Sequence, residues 1–430
     1  MQLPSNGRIV IVDDNINEVL PLIKILSKKR IPFNYYTGTE FTDFPDNIDD
    51  NKLRVLFLDL NIFELNKDSK SVISSIDGIL KAIIPDNPNP YLLVIWSKQN
   101  DEYKTALEQH FMHHIPQKTP ARILFLRKGN YFDFIDDKWQ AQTDCIQRIE
   151  ADLNGELENI SLLRSLISWE NIVHKKTSET INEFSSFYPI DENWDKNSKA
   201  IMYRLAKAII GDDNITKYTD EQKLAKAFIN INSFLSDRIE DEVEDLNLGT
   251  ITNVSDLDVD VPQSIISSIN SKLHLYTKSF AANYFEQGNT YILADHDNLI
   301  QRILWDKKFK ATQRKLLIDS SPQLIQLDIT PVCDYSQSKE YVRTIFGVIL
   351  NYAFYKHCEN RGIFYYRTPG LKINNQEKFI FFDFRFIKTS LQSELIERNI
   401  APSFKLRREI CTDIQSQLAN QINRPGISNL

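Results

Sequence analysis

Residues 8–15, Arg8-Ile-Val-Ile-Val-Asp13-Asp14-Asn15, decide the fold: a short Val/Ile run that ends on two adjacent carboxylates. An apolar run bounded by polar residues reads as a buried strand. Directly after it, Ile16, Val19, Leu20, Ile23 and Leu26 fall at helical spacing. Pro21 fits that helix if it stands in the first turn, where a missing N–H has no partner to lose. Strand, acidic pair and helix is how an open α/β sheet presents groups at the carboxyl ends of its strands. Taken alone, Asp13 and Asp14 could equally be a helix N-cap and its dipole-stabilising neighbour.

The layout repeats along the first third of the chain. Residues 33–36, 55–58, 91–96 and 122–126 are further strand candidates, and 16–29, 76–84, 102–111 and 138–153 carry helical patterns. Residues 39–53 are polar and Asp-rich, which leaves room for a short helix only. Alternating strands and helices predict a doubly wound, flavodoxin-like sheet of five parallel strands covered on both faces. Right-handed crossovers bring the ends of strands one, three, four and five to one edge. At those ends stand Asp13 and Asp14, then Asp59, Ser97 and Lys128. Three carboxylates make a hard, oxygen-rich site suited to Mg2+. A hydroxyl and an ammonium beside them can hold the oxygens of a phosphoryl group.

On these residues the stretch from about 7 to 150 resembles the receiver domain of bacterial two-component response regulators. The resemblance implies that Asp13 and Asp14 are the metal-binding acidic pair and Asp59 the phosphate-accepting aspartate. It also implies that Asn61 offers its backbone carbonyl to the metal, that Ser97 is the switch hydroxyl, and that Lys128 is the lysine ending the fifth strand. Phe125 falls where the family carries its rotating aromatic, and Asp77-Gly78-Ile79-Leu80-Lys81 is similar to the opening of its third helix. Four departures stand at the rim: Phe63 and Gly129 replace prolines, Lys98 follows Ser97 in place of a small residue, and residues 61–76 are longer than the family's loop.

Composition bounds the rest. The 430 residues suggest two or three domains, and a net charge of -7 points to no nucleic acid. Cys145, Cys333, Cys358 and Cys411 lack metal-ligand spacing, and no apolar run approaches a membrane span. A cytoplasmic protein is expected. The organisation expected is a receiver-like domain over 1–150, a helical middle over 151–290 and a β-rich C-terminal interaction domain over 291–430. Residues 146, 149, 153, 157, 160, 163 and 167 form an apolar stripe, either an ordinary core stripe or a homodimer seam. Helices are expected over 198–210, 221–239, 264–286 and 403–423, and strands over 324–332, 341–350, 363–367 and 378–386. Residues 237–260 read as a helix end passing into an acidic, solvated loop.

Several smaller motifs invite chemistry. His110, His113 and His114 read as an exposed helix end rather than a metal site, for want of a glutamate between them. Asp295-His296-Asp297 reads as a polar turn. Cys333 beside Asp334 reads as a buried structural cysteine rather than a nucleophile. Arg361, Arg367, Lys372, Arg385 and Lys388 with Tyr365, Tyr366 and Phe382 could bind single-stranded nucleic acid, but a β-barrel-like interaction module is the simpler expectation. Function is expected to be signalling rather than enzymatic: Mg2+-dependent phosphoryl acceptance on Asp59, with a histidine-kinase-like or ATPase partner. Receiver-like proteins with unfamiliar outputs also occur in bacterial antiphage modules. The resemblance therefore also implies an alternative, a non-phosphorylated scaffold for a partner effector or ATPase.

Overall fold

Four residues, Ile9–Val12, form β1, and everything in the first half of the chain is arranged about it. In this computed structural model the described residues are 9–40, 42, 44, 53–60, 62, 69–86, 88–97, 103–135, 138–158, 161–212, 214–245, 261–276, 285–295, 298–304, 311–337, 339–358 and 364–422. They fall into two compact units, 1–198 with 232–257 and 199–231 with 258–430. This division is coarser than the three segments read from the sequence.

In the first unit the order is β1, α1 (Ile16–Lys28), β2 (Phe33–Tyr36), β3 (Val55–Leu58), α2 (Ser69–Ile83), β4 (Leu92–Ser97), α3 (Lys104–His113) and β5 (Arg122–Arg127). A hairpin follows, β6 (Phe132–Ile135) and β7 (Lys138–Ala141), then α4 (Cys145–Glu158) and α5 (Ser161–Ser186). The sheet runs β2-β1-β3-β4-β5 with every pair parallel, which is the doubly wound, receiver-like order. Both faces are buried. Ile9, Ile11, Val55, Phe57, Val94 and Trp96 point to α1, α4 and α5, whereas Val12, Leu56, Leu58, Leu93 and Ile95 point to α2 and α3. Period-2 alternation within an almost wholly apolar strand therefore feeds two separate cores.

Local corrections follow. Pro21 is the sixth residue of α1, past the first turn, and its ring is buried in the core in place of the N–H it lacks. The helix expected from residue 138 starts at Cys145, because 138–141 pair with 132–135 as β7 and β6. The stripe at 149, 153, 163 and 167 lies in this chain's own sheet core, and Ile146 packs against it, so these residues are spent as core stripe. Arg54, just before β3, grips Glu170 of α5 with two hydrogen bonds of 3.1 and 2.5 Å, both side chains largely buried. That bidentate pair fixes the long helix to the sheet.

Two helices, α6 (Trp194–Ile210) and α7 (Asp220–Glu244), have residues in each unit. Of the expected acidic loop, 246–260 lie outside the described residues. The second unit continues with α8 (Gln263–His274), β8 (Leu275–Tyr276), β9 (Asn289–Leu293), α9 (Leu299–Ile303), α10 (Ala311–Asp319), β10 (Gln323–Asp328) and α11 (Val332–Ser336). Then come β11 (Tyr341–Asn351), β12 (Tyr365–Arg367), β13 (Leu371–Ile373), β14 (Gln376–Leu391), α12 (Gln392–Glu397), β15 (Phe404–Leu406) and α13 (Arg408–Ile422).

These strands form an antiparallel sheet ordered β12-β14-β11-β10-β9-β15-β8, with β13 also on β14. The order has two ends, so the barrel-like expectation is replaced by an open α+β sheet. Ile380, Phe382 and Phe384 pack with α13 on one face, and Phe379 and Phe381 pack with α9 and α10 on the other. Strand β14 is thus buried on both sides instead of one. A register break opposite Ile345–Gly347 turns Phe386 to the same core as Phe379. The helix expected over 264–286 ends at His274, and the one expected from 403 begins at Arg408, because 275–276 and 404–406 pair with each other as β8 and β15.

Candidate functional site

Strand register builds the site. Val12 of β1 faces Leu58 of β3, so the next residues, Asp13 and Asp59, emerge side by side. The Asp59 N–H donates to the Val12 carbonyl at 2.9 Å and the Asp13 N–H to the Tyr36 carbonyl at 3.1 Å, which extends the ladder into the acidic residues. Tyr35 Oη donates to the Asp13 carbonyl at 2.7 Å. After β2, Gly38 has a φ of +74°, and a Cβ there would stand 2.8 Å from Val12 Cγ1. Only glycine lets the chain turn so close to the end of β1. On the other side, Ser97 ends β4 in register with Arg127, and Lys128 follows at once.

Lys128 is the centre. Its Nζ lies 2.8 Å from Asp13 Oδ2, 2.7 Å from Glu18 Oε2 and 2.7 Å from Asp59 Oδ2, with all four side chains buried. Burial alone would lower the lysine's pKa, but Asp59, Asp13 and Glu18 together hold it above its ordinary value. Asp13 is pushed up to about 7, by burial first and by the neighbouring Asp59, against the pull of Lys128. Asp14, exposed at the rim, is also raised, again by burial of its carboxyl and then by Asp59. One cation therefore faces an excess of carboxylates. That is the imbalance a divalent cation would correct.

The donor set fits such a cation. Asp13, Asp14 and Asp59 offer carboxylate oxygens that lie within 4.8 Å of one another, among the described residues the one group of this kind. Asp13 Oδ2 is buried and accepts no well-aligned hydrogen bond, although the Lys128 ammonium stands 2.8 Å away, so it keeps a lone pair for coordination. Hard oxygen ligands with an exposed member, open to water, suit Mg2+.

Of the residues singled out from the sequence, Asp13, Asp14, Asp59 and Lys128 come together directly. Ser97 is fully buried at the same sheet edge. Asn61, Phe63 and Lys98 lie outside the described residues. Glu18 was missed. Its signal was the spacing Asn15-Ile-Asn-Glu18, that of an N-cap residue and its N3 partner. Asn15 does cap α1, accepting from Asn17 N–H at 3.1 Å, and its Nδ2 donates to Glu18 Oε1 at 3.0 Å. The Asn15 N–H, the usual target of an N3 glutamate, donates instead to Asp13 Oδ1 at 2.9 Å. Glu18 is thereby left to reach Lys128.

The other motifs resolve differently. His110 is mostly buried, not exposed: its Nε2 lies 2.9 Å from Asp77 Oδ1 and ties α3 to α2. Burial would raise the Asp77 pKa, but bonds from Lys81 and His110 hold it below the ordinary range. Asp295 accepts from the Leu299 and Ile300 N–H groups at 2.6 and 3.2 Å and caps α9, while His296 and Asp297 lie outside the described residues. Cys333 is exposed rather than buried, and Asp334 is engaged by Lys339 at 2.7 Å. Tyr366 and Phe382 are core residues and Arg385 is paired with Asp383 at 2.7 Å, while Arg361 lies outside the described residues.

No family model matches the sequence. Over 128 residues the chain is 27% identical to an acireductone dioxygenase from Leishmania infantum, a stretch that takes in 26% of this chain and 37% of that protein. The chain thus spans little more than a third of this relative. Among solved structures, the signal receiver domain of a protein described as a Luxo repressor from Vibrio parahaemolyticus covers 36% of this chain and 93% of its own length, at 14% identity and a TM-score of 0.21.

Proposed function

We propose that this chain is a response-regulator-like signalling protein whose Asp59 accepts a phosphoryl group with the help of Mg2+. The observation that carries the reading is the buried Lys128, ion-paired at once with Asp13 and Asp59 at the carboxyl edge of a receiver-like sheet. A carboxylate oxygen of Asp59 forms the new bond to phosphorus as the donor's bond breaks; from acetyl phosphate, acetate leaves and no proton need move. Lys128 supplies positive charge to the incoming oxygens, and the Ser97 hydroxyl is placed on the same edge to donate to one of them. Asp13, Asp14 and Asp59 would hold the metal, which when bound neutralises the charge of the phosphoryl group. A phosphoryl group here would shift a two-state equilibrium that α4 and α5 carry toward the rest of the chain.

A second reading has its own support. Among the described residues the three Lys128 ion pairs are to carboxylates of the chain itself, which is how a site that never takes a phosphoryl group would be neutralised. In that case the first unit is a scaffold for a partner effector or ATPase, as in antiphage modules. Acetyl phosphate with Mg2+ separates the two. The acceptor reading expects one added phosphoryl group by intact mass, absent in Asp59→Asn. An unchanged mass at saturating donor, together with no response to beryllofluoride, leaves the scaffold.

A further inference from the structure

An ammonium group has three N–H donors and no acceptor. Lys128 donates to Glu18 and to Asp59 at 2.7 Å each, and its charge also stands 2.8 Å from Asp13. A phosphoryl oxygen arriving on Asp59 therefore meets a lysine that is already committed. Of these three carboxylates, Asp13 and Asp59 have tasks in metal or phosphoryl chemistry. Glu18 has neither, yet it is 2% exposed and pinned from its other oxygen by Asn15 Nδ2 at 3.0 Å. It sits in the first turn of α1, so the helix itself sets its reach.

Resting on the acceptor reading, we infer that Glu18 is a positioning residue that competes with the phosphoryl group for Lys128 and so lowers the occupancy of Asp59. In the resting state Glu18 and Asp59 share the ammonium. When Asp59 carries a phosphoryl group, Lys128 must turn one donor from a carboxylate to a phosphoryl oxygen. Asp59 and the metal-binding Asp13 adjoin the new group, whereas Glu18 approaches from α1. The Glu18 contact is the one given up, while Asn15 Nδ2 still donates to the other Glu18 oxygen. That loss falls on the phosphorylated state only. No bond is made or broken at Glu18, and no co-reactant is needed beyond the phosphoryl donor.

The test uses the full chain as wild type, Glu18→Gln and Glu18→Asp, with two readouts. Beryllofluoride plus Mg2+ is titrated by amide shifts, and phosphorylation from acetyl phosphate is timed by intact mass. Glu18→Gln weakens one charge-assisted hydrogen bond of the resting state, so it should bind beryllofluoride about tenfold more tightly and load faster. Glu18→Asp keeps the charge but is one methylene shorter and cannot hold Lys128. It should also load faster, while Mg2+ alone binds it as it binds wild type. If only Glu18→Gln gains, the effect is plain charge and the inference is overturned. If both variants match wild type or load more slowly, the inference is overturned and the acceptor reading stands. If none of the three proteins takes up beryllofluoride or phosphate, the acceptor reading fails and the inference goes with it.

Discussion

Lys128→Met is the most informative single perturbation of this fold. Methionine has the length and flexibility to fill the space of the lysine stem, so the change removes the charge and leaves the volume. What remains is Asp13, Glu18 and Asp59, buried with their shared cation gone. Breaking a buried ion pair from one side costs about 3–5 kcal/mol. For a unit of this size that is a fall in Tm on the order of 10 °C. The loss should depend on pH with a definite sign. Asp13 titrates at about 7 in the fold against 3.8 for the free side chain. Folding therefore takes up a proton between those values, and its burial disfavours the native state most above pH 7. Without Lys128 that carboxyl rises further, so the deficit of the variant should be largest at pH 8 and shrink toward pH 5. Mg2+ should restore part of the lost stability at pH 8 by supplying the missing positive charge, in proportion to the logarithm of its concentration. Thermal melts with EDTA or with Mg2+, at pH 5 and 8, read all three effects. A variant that melts like wild type at pH 8, or with a deficit flat across pH, would refute the claim that Lys128 holds the cluster together.

Two further outcomes are expected. In the second unit, Asp328 is fully buried, accepts from Thr330 N–H at 2.9 Å and from the Tyr335 hydroxyl, and burial pushes its pKa up to about 7. Its stability contribution worsens as pH rises from about 4 to 7, so Asp328→Asn should gain on wild type by up to about 1.4 kcal/mol per pH unit across that window and stay level above it; paired urea melts at pH 5 and 7.5 check the slope. Tyr131 Oη donates to Asp152 Oδ2 of α4 at 2.6 Å, and Tyr131→Phe should cost about 1.5–3 kcal/mol in a urea melt while leaving beryllofluoride uptake intact.

The sequence was most legible where one physical rule acts alone. A run as short as 55–58, bounded by polar residues, reads as a buried strand by its length, and once five strands alternate with helices, the crossover rule places Asp13, Asp59 and Lys128 together. Glu18 was hidden because two rules compete for it: at N3 of a capped helix a glutamate is expected to serve the cap, and only tertiary structure supplied a stronger donor. Residues 138–141 were misread for a similar reason. Lys138-Trp-Gln-Ala carries no strong strand signal alone and becomes β7 by pairing with Phe132–Ile135. In the second unit, β8 and β15 are two and three residues long, too short to leave any period in the sequence. Cys333 defied its expectation because it lies in the exposed first turn of α11, beside the equally exposed Val332 and just after the N-cap Pro331.

The same geometry says what a change at Asp59 has to move. Lys128 opens a short 3-10 turn, and Tyr131 N–H donates to the Lys128 carbonyl at 2.9 Å. The Tyr131 ring stacks on Trp96, next to Ser97, with centroids 5.4 Å apart. Its hydroxyl ends on Asp152 of α4, whose neighbours Ile149 and Leu153 share a core with Leu163 and Ile167 of α5. Ser97 and Lys128 thus each adjoin an aromatic residue, and the two aromatics touch. Contiguity of this kind is not coupling by itself; coupling requires an element with two arrangements that the ligand distinguishes. Lys128 is that element if Glu18 and a phosphoryl group contend for it, since either choice leaves a different set of bonds beside the turn that carries Tyr131. The α5 helix, held at Arg54 and through Leu163 and Ile167, would then respond as a rigid body, because packed interfaces shift between discrete positions rather than deforming continuously.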